Sequence, residues 1–115
     1  MTMQDKTINF PFGNVQVIPI GATGTIEIAP GNQMVIVDGV TTQATGNTTL
    51  NVVLDGVRPG GMMLVARKSA ATQTLTFGTG ITAPVITGVA GKTINQLFIF
   101  NGTAFVAAGD KIQID

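Results

Sequence analysis

The stretch LFIFNGTAFVAAG, Leu97 to Gly109, decides how this chain is read. A strand with one face in water alternates apolar and polar residues. Here Leu97, Phe98, Ile99 and Phe100 run without a break, Asn101-Gly102 turns the chain, and Phe105-Val106 follows. Asn-Gly predicts a hairpin turn of type I′. In the full strand, Thr93 to Phe100, the residues Ile94, Phe98 and Phe100 share one face and Leu97 and Ile99 share the other. Such a ribbon is apolar on both sides. The same pattern appears in Asn51 to Leu54 and in Met62 to Ala66.

The rest of the chain has the same texture. Short apolar or alternating runs are separated by Gly, Pro, Asn and Asp, and no segment holds helical apolar spacing over three turns. Strands are expected at Val15–Ile20, Thr25–Ala29, Met34–Val37, Thr48–Leu54, Met62–Arg67, Thr72–Phe77, Pro84–Thr87, Thr93–Phe100, Thr103–Ala107 and Lys111–Ile114. Pro19 cannot donate to a ladder, which puts the first strand at an edge. Asp38-Gly39 is read as ending the third strand, with Thr41 to Asn47 and Gly78 to Pro84 as loops. The fold expected is all-β: an antiparallel β-sandwich, jelly-roll-like, over residues 14–115. Residues 1–13 form a short N-terminal arm carrying Ile8, Phe10 and Phe12.

Composition narrows the function. Only 10% of the 115 residues are charged and the net charge is zero, against about 25% charged in ordinary soluble domains. A surface so sparsely charged is poorly protected against association. Lys and Arg do not cluster beyond Arg67-Lys68, which argues against nucleic acid as a partner. No run reaches the ~18 apolar residues of a membrane span, and no basic amphipathic helix is present to lie on a membrane.

Chemistry is scarce. The chain has no Cys, His, Tyr or Trp, so disulfides, thiolate metal sites and imidazole catalysis are excluded. Asp38 and Asp55 sit in Asp-Gly pairs, where a carboxylate bonds its own backbone; an oxygen-ligated calcium site is the alternative. Ser69 has only Lys68 beside it as a base. Gly21–Gly24 and Gly78–Gly80 lead into no helix with a Lys, so neither cradles phosphate. No enzyme, cofactor or metal is expected.

Aliphatic side chains on both sides of a strand need two covers. One is the core. Without helices, the other is a loop, the arm or another subunit. Leu97, Ile99, Met62, Leu64 and Val53 are therefore candidate interface residues of a homo-oligomer. The segment Gly91-Lys92-Thr93-Ile94 through Leu97-Phe98-Ile99-Phe100-Asn101-Gly102-Thr103-Ala104-Phe105 resembles small β-sandwich modules of tailed-bacteriophage virions. These are the head fibres, capsid decoration proteins and tail-fibre domains, often trimeric, with Phe105 standing where Tyr or Trp is usual. The resemblance covers about the last half of the chain and carries over no functional residue. It implies a virion structural protein, assembled in a host cytoplasm as a trimer on a phage capsid. Ile8, Phe10 and Phe12 would dock on the major capsid protein. The alternative is a receptor- or glycan-binding domain of a fibre or adhesin.

Overall fold

The computed structural model describes residues 15–115. The expected arm, with Ile8, Phe10 and Phe12, lies outside the described residues. The elements are strands: β1 (Val15–Pro19), β2 (Gly24–Ile28), β3 (Met34–Ala44), β4 (Thr48–Val52), β5 (Met62–Ser69), β6 (Thr74–Phe77), β7 (Ile81–Thr82), β8 (Ile86–Thr87), β9 (Thr93–Phe100), β10 (Phe105–Ala107) and β11 (Ile112–Gln113). The all-β reading is correct.

The pairing differs from the expected antiparallel jelly roll. The chain alternates between two sheets, placing β1, β3 and β5 in the larger one and β2, β4 and β6 in the smaller. Each sheet thus receives every second strand, always running the same way, and β1–β3–β5 and β2–β4–β6 pair parallel. The arrangement is β-solenoid-like. Its coils end in an antiparallel section, where β9 reverses against β5 and carries β10 and β11 on its far side, while β8 reverses against β6. Apolar runs such as Met34-Val35-Ile36-Val37 and Met62-Met63-Leu64-Val65 are the composition parallel strands favour.

The core lies between the sheets. Val37, Met63, Val65 and Phe98 from the larger sheet and Leu50 from the smaller have no exposed surface. Phe77 of β6 meets Phe98 of β9 edge to face, with ring centroids 5.0 Å apart, joining the two layers. Offset or edge-on ring pairs of this kind add about 0.5–1.5 kcal/mol beyond the area they bury.

Local readings were revised in three places. β3 does not stop at Asp38-Gly39 but continues, irregularly, to Ala44. Alongside this segment Arg67 points inward from β5 and is 2% exposed. Its Nη1 donates to the Thr42 carbonyl at 3.4 Å and its Nη2 to the Gly21 carbonyl at 2.8 Å, while its Nε has no partner. Gly39 leaves room for it, because a Cβ there would stand 2.8 Å from Arg67 Cδ. Second, the Asn101-Gly102 turn is wider than type I′. Phe100 pairs with Phe105, and Asn101 Oδ1 accepts from the Thr103 and Ala104 amides. Third, Ile81–Thr82, expected in a loop, forms β7 parallel to β10.

Candidate functional site

Strand alternation fixes what each sheet shows to the outside. In the larger sheet Val35, Val37, Met63, Val65, Phe98 and Phe105 point inward, so their neighbours point out. Register then assembles those neighbours into rows across the strands. The first row is Val15–Met34–Met62–Ile99–Val106. The second is Val17–Ile36–Leu64–Leu97. Every residue in both rows is apolar. Val17 is 58% exposed, Val15 52% and Ile99 37%, while the other six are half-buried against one another.

A third row, Pro19–Asp38–Ala66–Asn95–Ile112, limits the band on one side. Asp38 bonds the backbone and hydroxyl of its own turn, as its Asp-Gly position predicts. Its Oδ1 accepts from the Val40 and Thr41 amides at 2.9 and 3.1 Å, and its Oδ2 from the Thr41 hydroxyl at 2.6 Å. These bonds, led by the Thr41 hydroxyl, hold its pKa below the ordinary carboxylate value.

The outer face of the smaller sheet is built otherwise. Thr25, Thr49 and Thr76 form one row across β2, β4 and β6, and Glu27 pairs with Asn51 beside it. These side chains bond water readily. One molecule therefore carries one polar and one apolar outer face.

The structure brings together four of the five expected interface residues. Met62 pairs with Ile99 and Leu64 with Leu97 across the β5–β9 ladder. Val53 does not join them. It follows β4 in the other sheet, its amide donating to the Ile28 carbonyl. Sequence reasoning missed Val15, Val17, Met34, Ile36 and Val106. Only the parallel register of β1, β3 and β5 aligns the first four with Leu97 and Ile99, and Val106 meets Ile99 through the register set by the wider β9–β10 turn.

The remaining candidates stay apart. Asp55 lies in a turn closed by the Val57 amide on the Leu54 carbonyl at 3.1 Å, with Gly56 at φ 77° where a left-handed residue is needed. Ser69 is buried, and Lys68 points to the opposite face of β5. Among the described residues no group of three or more His, Cys, Asp or Glu could hold a metal ion. A surface cavity of about 240 Å³ is lined by Pro30, Asn32, Gln33, Val57 and Arg58 and three glycines, with no aromatic ring for a sugar to stack on. Comparison with known protein families, characterised proteins and solved structures finds no match.

Proposed function

We propose that this protein is a structural building block that assembles with copies of itself through the outer face of its larger sheet. It would serve as a decoration or head-fibre component of a phage capsid. The carrying observation is the two-row apolar band over β1, β3, β5, β9 and β10. At ~4.8 Å between strands and ~6.8 Å between same-face rows, the band covers roughly 250 Å² in projection. A stable interface takes about 800 Å² from each partner, so the band is the apolar centre of a contact whose rim is polar. It is narrow and runs across the strands, along the direction in which the coils stack. Copies can therefore meet band to band around an axis parallel to it, and a homotrimer is the stoichiometry proposed. The virion setting is supported by the resemblance of residues 91–105 to phage modules and by the low charge content.

The test is light scattering coupled to size exclusion at micromolar concentration. The intact chain should run at three times its 11.8 kDa mass, and Leu64→Lys/Leu97→Lys should run as a monomer. An intact chain that is already monomeric ends this reading. Its presence at fixed copy number in purified phage particles, measured by mass spectrometry, tests the setting separately.

A further inference from the structure

The turn between β9 and β10 carries the one Asn-Gly pair of the sequence, Asn101-Gly102. Its geometry does more than reverse the chain. Asn101 Oδ1 accepts from the Thr103 amide at 2.9 Å and from the Ala104 amide at 3.0 Å. Two amide donors at about 2.7–3.1 Å are the arrangement that stabilises negative charge developing on a carbonyl oxygen. The next residue supplies the other half of a reaction. Gly102 sits at φ 99°, which glycine adopts without strain. Among the described residues nothing accepts a hydrogen bond from its amide. Both residues are exposed, and even an added Cβ at Gly102 would come no nearer than 3.8 Å to Pro59 Cγ. A backbone nitrogen free of any hydrogen bond, with no side chain to shield it, therefore follows directly on a polarised carboxamide.

The comparable places in the fold lack one part or another. Asn47-Thr48, Asn51-Val52 and Asn95-Gln96 each put a side chain on the following nitrogen. The Val52 amide is also held by the Thr79 carbonyl at 2.8 Å, and Thr48 and Gln96 lie within β4 and β9. Asp38-Gly39 lies within β3, with the carboxylate committed to Val40 and Thr41. Asp55-Gly56 is an open turn, but a carboxylate is a poorer electrophile than a carboxamide.

We propose that Asn101 is a self-modification site, at which the folded chain converts its own asparagine to aspartate with water as the only co-reactant. The Gly102 nitrogen gives its proton to solvent and bonds to Asn101 Cγ. The Thr103 and Ala104 amides hold the oxyanion that forms on Oδ1. The Cγ–Nδ2 bond then breaks, ammonia leaves with the proton, and a five-membered succinimide remains. Water opens the ring at one of two carbonyls. Opening between Cγ and the Gly102 nitrogen gives aspartate, whose carboxylate keeps both amide donors as stronger, charge-assisted bonds. Opening on the other side gives isoaspartate, with an extra methylene in the main chain. That product strains a turn in which the Asn101 amide donates to the Ala104 carbonyl at 3.1 Å and Phe100 pairs with Phe105. The fold therefore selects aspartate, and the net charge of the chain falls from zero to minus one. The conversion is independent of how the outer band is used.

Peptide mapping by mass spectrometry tests it on the full chain, held for weeks in mildly alkaline buffer, folded in one sample and in denaturant in the other. In the folded sample Asn101 should convert at least about tenfold faster than Asn47, Asn51 or Asn95, and no more slowly than it does in denaturant. Aspartate should outweigh isoaspartate in the folded sample, and isoaspartate should gain in the denatured one. Gly102→Ala should abolish the conversion in both samples, folded or not, by shielding the nitrogen. Asn101 left intact in the folded chain while the denatured chain converts would overturn the proposal, as would the same product ratio in both samples.

Discussion

The two outward faces of this molecule are a controlled comparison. Both are built on parallel three-strand ladders laid down by the same coils, the larger one extended by antiparallel β9 and β10, and both alternate with inward residues that close one shared core. The smaller sheet shows Thr25, Thr49, Thr76, Asn51 and Glu27. The larger shows Val15, Val17, Met34, Ile36, Met62, Leu64, Leu97, Ile99 and Val106. A chain able to furnish one face with hydroxyls and amides has no structural need to furnish the other with aliphatics. On the assembly proposed above, the difference between the faces lies in what meets them.

Stability measurements test this contrast, starting from the core that both faces share. Phe98→Ala removes a fully buried ring and should cost about 3–5 kcal/mol in denaturant unfolding at any protein concentration. Leu97, its neighbour in the chain, faces the other way. Leu97→Thr should cost under ~1 kcal/mol in dilute solution, where the chain is monomeric. On the proposed assembly the cost should grow as concentration rises, because only the intact chain would gain stability by associating. Thr49→Lys on the smaller sheet should stay within about 0.5 kcal/mol throughout. If Leu97→Thr and Thr49→Lys behave alike across a hundredfold range of concentration, the contrast between the faces has no functional content.

The smallest effect concerns the border of the band. The Asp38 pKa is lowered in the folded chain by Thr41 and Val40. Its contribution to stability is therefore complete above the ordinary aspartate value of 3.8 and is lost as pH falls through the lower, folded value. Unfolding followed from pH 6 down to pH 3 should show Asp38→Asn losing stability less steeply than the natural chain. Parallel slopes would mean that these hydrogen bonds do not favour the charged carboxylate.

Side-chain facing was legible in the sequence wherever alternation is strict. Ile94, Phe98 and Phe100 do face the core, Leu97 and Ile99 do face out, and Pro19 does mark an edge strand. Pairing direction was not legible, because the alternation of one strand reports its two faces and says nothing of its neighbours. The continuous runs at Met34–Val37 and Met62–Val65 did carry a hint of parallel pairing, but central antiparallel strands under a second layer look the same. The continuation of β3 past Asp38-Gly39 was hidden for another reason. It is a pairing with β5, distant in sequence, through Ala44 and Ser69, with the Arg67 guanidinium reaching the Thr42 carbonyl alongside. Val53 was misplaced by the same ignorance of which sheet each strand enters.

The coil plan also has an evolutionary reading. Strands in each ladder are joined by a full circuit, so duplicating one circuit's worth of chain would lengthen both sheets by about 4.8 Å. The antiparallel section would be left as it is. The same duplication would add one more position to each aliphatic row, so the length of the stack and the area of its apolar band would rise together. Descendants of different reach could thus arise by copying a single segment, with no new contact to invent.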